Sequence, residues 1–240
     1  MNDAIGPQIW SLAFLLRPAV PLPVRAGPLI KPLALLSLLL APLLSQACEA
    51  PLPDLETMSR LRLGENVAES IRVDEKGGAV KVSLMIWAPV EDIWATVYSC
   101  ENAFIFLAGL EVCEVLEDDG VDTVTRQVLN KGWPVPRQDY KFRTHRVPYT
   151  RADIHLVEGK LKFMQASWEY ISMPEAVVVI YKVRLQPGFP APRFLVRRAL
   201  KKGMTGLLAC VRALAGGSGS AEQEKEDLGY CPGDIGQAAR

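Results

Sequence analysis

The chain has 240 residues, a length that suits one domain with extensions better than two full domains. Lys and Arg (27) balance Asp and Glu (27), so no overall field draws it to nucleic acid or any other polyanion. Apolar residues make up 49%, enough for a core, although much of that share lies in the first fifty residues.

The N-terminal segment reads as targeting rather than fold. Residues 33–44 (LALLSLLLAPLL) form a short apolar run, preceded by Arg25 and Lys31 and followed by Ser45-Gln46-Ala47. A basic stretch, an apolar region and a small-residue end are the parts of a secretory signal. The run is shorter than the roughly 20 residues of a membrane-spanning helix, and Pro42 interrupts it. Residues 1–47 are therefore expected to be a signal region, with translation starting near residue 24 and a periplasmic or secreted bacterial product. Cys48 follows Ala47 as in a lipoprotein cleavage site, but Ser45 and Gln46 fit that pattern less well. Lipid anchoring through Cys48 is the lesser alternative and an uncleaved anchor the third.

Residues 48–66 are polar and proline-flanked, with at most a helical turn around Leu55, Met58 and Leu61, and read as a linker. Residues 67–73 and 79–87 read as two strands of a hairpin joined through Gly77-Gly78; in the second, Val80, Val82, Leu84 and Ile86 share one face. Pro89 ends that strand. Ile93, Trp94 and Val97 then fall at helical spacing over 90–98, with Glu91 and Asp92 in the first turn, where they complement the helix dipole. A second short helix is expected over 101–108.

Strands return over 111–117, 123–130, 138–146, 152–158, 161–171 and 177–185, separated by short turn signals such as Asp118-Asp119-Gly120. Connections this short imply an antiparallel sheet. Residues 192–214 then form a long helix, with Leu200, Met204, Leu207, Leu208, Val211 and Leu214 in one apolar stripe. The glycines at 216, 217 and 219 stop it, and residues 216–240 are expected to be a disordered tail.

Four cysteines besides Cys48, at 100, 113, 210 and 231, show no C-x-x-C pair and no metal-ligand spacing. One disulfide is open in an oxidising compartment, but isolated buried thiols plus one in the tail are the plainer expectation. The predicted class is α+β. A curved antiparallel sheet wraps around the long C-terminal helix, with two short helices after the first long strand, and bowing away from the helix leaves a cavity where ligand pockets form.

This layout, over residues 67–214, resembles the START-like or SRPBCC superfamily, the Bet v 1-like group that includes polyketide cyclases/dehydrases and coenzyme Q-binding proteins. Three stretches carry the resemblance. Ala88-Pro89-Val90-Glu91-Asp92-Ile93-Trp94 is similar to the family's passage from strand to first helix. Gly159 precedes Ser167-Trp168-Glu169, and Leu185-Gln186-Pro187-Gly188-Phe189-Pro190 leads into the final helix. The resemblance implies a fold and a cavity for a hydrophobic ligand; it does not select a ligand or a reaction.

Alternation places Tyr140, Phe142 and Thr144 on one face of their strand. Met164, Ala166, Trp168 and Tyr170 share a face on the next, and Tyr181 sits among the valines of the last. Tyr140, Phe142, Met164, Trp168 and Tyr181, with Met204 and Leu207 of the helix, are the expected cavity lining. Each singly reads first as plain core; as a group they read as cavity lining. Buried Tyr and Trp want a partner for O–H or N–H, and a ligand oxygen is one such partner. Trp133, in a proline-flanked loop, reads either as a gate or membrane contact or as a cap on the sheet edge. Arg193, Arg197, Arg198, Lys201 and Lys202 read as a solvated helix face, with contact to anionic headgroups as the sharper alternative.

The two histidines, His145 and His155, alternate onto solvent faces, as do the only candidate acids, Asp139 and Glu169. No nucleophile–base pair, H-E-x-x-H helix or phosphate loop is present, and no metal or cofactor is implied. The expectation is a monomeric, non-catalytic binder or carrier of a hydrophobic small molecule or lipid, such as an isoprenoid or quinone. It would touch membrane surfaces transiently and bind no nucleic acid. The alternatives are a polyketide cyclase/dehydratase-like enzyme using the same cavity, which needs a desolvated carboxyl or histidine there, and an envelope protein whose cavity its own side chains fill.

Overall fold

A computed structural model describes residues 51–72 and 77–233. The apolar run 33–44, the start near residue 24 and Cys48 lie outside the described residues. Eight strands form one curved, unclosed antiparallel sheet in the order β1-β2-β8-β7-β6-β5-β4-β3. They are β1 (Val67–Ile71), β2 (Gly78–Ile86), β3 (Leu110–Asp118), β4 (Asp122–Leu129), β5 (Gln138–Val147), β6 (Arg151–Gly159), β7 (Phe163–Ser172) and β8 (Val177–Gln186). Between β2 and β3 lie two short helices, α2 (Val90–Tyr98) and α3 (Cys100–Phe106). Ser99 separates them by capping α3, its hydroxyl accepting from the Asn102 N–H at 3.2 Å.

The long helix α4 (Arg193–Leu214) begins directly after Pro192, whose fixed φ suits a helix start, and packs along β2. Val196, Leu200, Leu207, Leu208 and Val211 bury against Val80, Val82, Leu84 and Ile86 of β2 and Val179 of β8. This inner face carries the main core, and the helix-grip expectation holds.

The opposite face of the sheet is covered as well, which corrects the reading of residues 48–66 as a linker. Residues Leu55–Arg62 form α1, capped by Asp54, whose carboxylate accepts from the Thr57 N–H at 2.8 Å. Met58 and Leu61 bury against Met85, Val178 and Ile180 on the sheet's outer side. The central strands β2 and β8 are thus buried on both faces. The sequence signal was faint because only two apolar side chains anchor the helix. At the other margin, edge strand β3 is mostly exposed and carries Glu111, Glu114, Glu117 and Asp118, charges that discourage strand addition.

Two further corrections concern the cysteines and the C-terminus. The four cysteines form two disulfides, Cys100–Cys113 and Cys210–Cys231. One ties the start of α3 to β3, and the other ties α4 to the segment beyond it. Partners 13 and 21 residues apart leave no sequence signature, since only packing brings them together. The segment expected as a disordered tail is ordered through residue 233 and contains α5 (Ala221–Leu228), capped by Ser220.

α5 owes its place to one fully buried ion pair rather than to an apolar stripe. Arg212, with 0% of its surface exposed, donates from Nε and Nη2 to both oxygens of Asp227 at 2.7 Å. Ser218 and Gln223 also donate to that carboxylate, and Arg212 Nη1 reaches the Gly64 carbonyl after α1. The chain then runs to α3, where the Gly233 N–H donates to the Ile105 carbonyl at 3.0 Å.

Candidate ligand cavity

Between α4, α3 and the inner face of β4–β8 lies a cavity of about 270 Å³. That is near the lower end of the roughly 300–1,000 Å³ typical of small-molecule sites. Strand register explains its wall. Tyr140 and Phe142 alternate inward from β5, Met164, Ala166 and Trp168 from β7, and Tyr181 and Val183 from β8. Trp168 stands opposite Tyr181, ring centroids 4.4 Å apart. From the helix side come Leu200, Met204 and Leu207. Gly159 helps seat Tyr140: the two pair where β5 and β6 shift register, and at φ +134° a Cβ on Gly159 would lie 2.4 Å from the Tyr140 Cα.

Of the residues singled out in the sequence, Tyr140, Phe142, Met164, Trp168, Tyr181, Met204 and Leu207 therefore share one cavity wall. Trp133 does not; it stands on the β4–β5 loop, 96% exposed. The alternation rule reaches strands only, and nothing in the loop's composition placed this ring. The basic residues divide. Arg197, Arg198, Lys201 and Lys202 line a shallow, open hollow with Ser70, Thr205 and Tyr230, on the side of α4 away from its apolar stripe. No residue of that hollow lines the cavity, and Arg193 borders neither.

Inside the cavity most polar groups are hydroxyls, which both donate and accept. The Tyr140 hydroxyl donates to Gln127 Oε1 at 2.9 Å. Behind the wall, Tyr170, which does not line the cavity, holds its hydroxyl 3.5 Å from that of Tyr98, with Trp94 packed against both rings. The Tyr181 hydroxyl and the Trp168 N–H have no hydrogen bond among the described residues. Burial pushes the Tyr98, Tyr140, Tyr170 and Tyr181 hydroxyls above the usual phenol range, so all four stay protonated at neutral pH.

Three charged groups that the sequence reading passed over also line the cavity, Asp118, Lys131 and Arg146, and burial lowers the Lys131 ammonium below the usual lysine range. Arg146 sits one step beyond Tyr140, Phe142 and Thr144 in the same alternation, so the signal for it was present. Asp118 ends β3, where two register shifts defeat counting by twos. Arg146 Nη2 donates to Asp118 Oδ1. The Gly120 N–H, and next Arg146, hold the Asp118 carboxyl below the usual carboxylate range. The earlier candidate acids lie elsewhere. Asp139 accepts two bonds from Arg126, and Glu169, buried on the outer face, pairs with Lys182 at 2.7 Å. His145 is exposed and paired with Asp122, and His155 is exposed. Among the described residues no cluster of three or more His, Cys, Asp or Glu is placed to hold a metal ion, and no helix is long and apolar enough to cross a membrane.

The family described as "Polyketide cyclase / dehydrase and lipid transport" matches residues 86–212, over half of the chain. No curated protein matches in sequence. Among solved structures, a STAR-related lipid transfer protein from Xanthomonas axonopodis superposes with a TM-score of 0.56 at 13% identity, covering 62% of this chain and 92% of that one. A START superfamily protein from Mycobacterium smegmatis (TM-score 0.46, 14% identity, 57% and 94% covered) is similar as well. So is the Zhui aromatase/cyclase from Streptomyces (0.41, 15%, 63% and 91%). The Xanthomonas likeness shows the fold. The chain belongs to the polyketide cyclase/dehydrase and lipid transport family, with the START-like ligand-binding fold.

Proposed function

We propose that this protein binds and carries a hydrophobic small molecule or lipid, such as an isoprenoid or quinone, without changing it covalently. The observation that carries this reading is the cavity wall of Phe142, Met164, Trp168, Leu200, Met204 and Leu207, lying between sheet and helix. Such a surface gains by taking up apolar area at about 25 cal/mol per Å².

The cyclase alternative needs a cavity acid or base whose pKa is moved toward neutrality. The only carboxylate lining the cavity, Asp118, is displaced the other way, toward permanent ionisation, and its side chain is 46% exposed. Neither histidine lines the cavity. Both observations speak against a carboxylate or histidine catalyst; burial does lower the Lys131 ammonium in the same cavity, so an amine is the group the cyclase alternative would have to use.

Two disulfides favour a working place in an oxidising compartment, in keeping with the signal-like N-terminus. A carrier must also meet a donor membrane. Arg197, Arg198, Lys201 and Lys202 offer four cations in one hollow, with Phe194 and Leu195 exposed on the preceding turn. Each basic residue near an anionic surface is worth about 1 kcal/mol.

Native mass spectrometry of the purified full chain, followed by organic extraction, tests the function: a co-purifying apolar adduct is expected, and a protein that stays empty after incubation with membrane lipid extract overturns it. Arg197→Glu/Lys201→Glu should weaken sedimentation with phosphatidylglycerol vesicles about tenfold or more while leaving neutral phosphatidylcholine vesicles unaffected. Equal binding to both vesicle types removes the membrane step from the proposal.

A further inference from the structure

The two disulfides stand in unlike places. Cys210 is fully buried in the main core, and neither it nor Cys231 lines the cavity. Cys100 and Cys113 are both half-buried and both line the cavity, so this bond is itself part of the wall. Unlike the leucines and aromatic rings around it, a disulfide can be opened and closed again by thiol exchange.

The elements that this bond joins have little else to fix them there. α3 has 7 residues, well below the length at which a helix stands alone in water. β3 is an edge strand, paired within the sheet to β4 alone and broken by two register shifts. The far half of α3 is anchored by backbone: the Gly233 N–H donates to the Ile105 carbonyl, and the Asn130 N–H donates to the Gly109 carbonyl just beyond the helix. Its first residue, Cys100, is joined to β3 through sulfur. Between the two cysteines the chain carries Ala103, Phe106 and Leu107, three side chains of the wall. Opening the bond removes the covalent tie at the front of a segment that closes the cavity.

We propose that the Cys100–Cys113 disulfide is a redox latch on the cavity wall: closed, it keeps α3 against β3 and the guest in place, and a dithiol that opens it lets the guest go. The inference rests on the reading of the cavity as a hydrophobic-ligand site and adds its regulation. One thiolate of the dithiol attacks the Cys100 sulfur and Cys113 leaves as a thiolate. The Cys113 sulfur already accepts from Gln127 Nε2 at 3.9 Å, a side chain whose Oε1 takes the Tyr140 hydroxyl, so a donor waits for the leaving charge. The second thiol of the dithiol then displaces Cys100. Two electrons and two protons pass from the dithiol, which ends as its own disulfide, to the two cysteines. Because occupancy and bond state act on one wall, their coupling is reciprocal: a guest that needs the latch closed also favours its closure.

The apolar probe 2-ethylnaphthalene tests it on the full chain at pH 7. The protein is equilibrated with graded ratios of reduced to oxidised dithiothreitol, quenched and alkylated, and each disulfide is followed by peptide mass spectrometry. Saturating probe should shift the Cys100–Cys113 equilibrium toward the disulfide by on the order of tenfold, within the usual range of coupling between sites. Cys210–Cys231 should move less than about twofold over the same ratios. By calorimetry, Cys100→Ala/Cys113→Ala should bind the probe weaker by the same factor, about tenfold. If that variant does not fold, the equilibrium measured on the unaltered chain still decides. An unshifted Cys100–Cys113 equilibrium, or a folded variant that binds as tightly as the unaltered protein, overturns the latch and leaves the cavity reading intact. So does an equal shift of both disulfides, since a guest that steadies the whole fold protects both alike. If the unaltered, oxidised protein does not bind the probe, the cavity reading itself fails and the latch falls with it.

Discussion

Arg212 and Arg146 both carry a guanidinium into the protein, one near the end of α4 and one on β5, and their surroundings differ completely. Arg212 meets two carboxylate oxygens and a backbone carbonyl, and its carboxylate partner takes two further donors. Arg146 meets one oxygen of a half-exposed aspartate and keeps a buried nitrogen idle. Every valence is used around the first, so that region is structural: it latches α5 to α4 and to the turn after α1. A half-satisfied polar group is costly in a low-dielectric wall. The comparison separates a saturated contact that holds two helices together from an unsaturated one at the cavity wall.

The largest effect should come from splitting the latch. Asp227→Ala leaves Arg212 buried and unpaired, which typically costs about 3–5 kcal/mol, whereas Arg146→Met should change stability by less than about 1 kcal/mol. Urea unfolding of both variants checks this, and equal losses would erase the distinction. Next comes the covalent tie in the same region. Cys210→Ser/Cys231→Ser opens a loop between residues 21 apart and should cost roughly 3 kcal/mol. Probe affinity should stay within about threefold, since neither cysteine lines the cavity.

Alkaline titration probes the cavity side. The free-chain tyrosine value is 10.0, and Tyr98, Tyr140, Tyr170 and Tyr181 are raised above it in the fold. Below that pH both states keep their protons and nothing changes. Above it the unfolded chain loses protons first, so stability falls as pH rises, by about 1.4 kcal/mol per pH unit for each such tyrosine. Urea midpoints between pH 9 and 11 should show the decline, and Tyr181→Phe should make it shallower by one proton. A small stability change, about 1 kcal/mol, is expected for Ala166→Leu, which fills the cavity from β7. It should nevertheless weaken 2-ethylnaphthalene binding by tenfold or more, and a variant that binds normally would place the guest elsewhere.

Much of the cavity wall was legible because β-strands alternate strictly. Tyr140, Phe142, Met164, Trp168 and Tyr181 were separable from Lys141, Arg143, Gln165 and Glu169 by counting in twos. The same count extended by one step reaches Arg146. It fails at Asp118 because β3 is bulged, and it says nothing of Trp133, which lies on a loop. Helix α5 escaped for a different reason. Its sequence, AEQEKEDL, has no apolar stripe, so its anchoring by Asp227 depends on a partner 15 residues earlier on another helix.

Local chemistry written along the chain, namely period-two strands, short polar turns and one long amphipathic stripe, determined the helix-grip fold and most of the side chains facing the grip. Such patterns act between near neighbours, so a linear reading recovers them. The pairing of four cysteines, the docking of α1 and α5, the separation of the basic hollow from the cavity, and the unfilled donor of Arg146 were decided only in three dimensions. Each depends on which distant groups meet and which are left without a partner, and that is settled only when the sheet closes over α4.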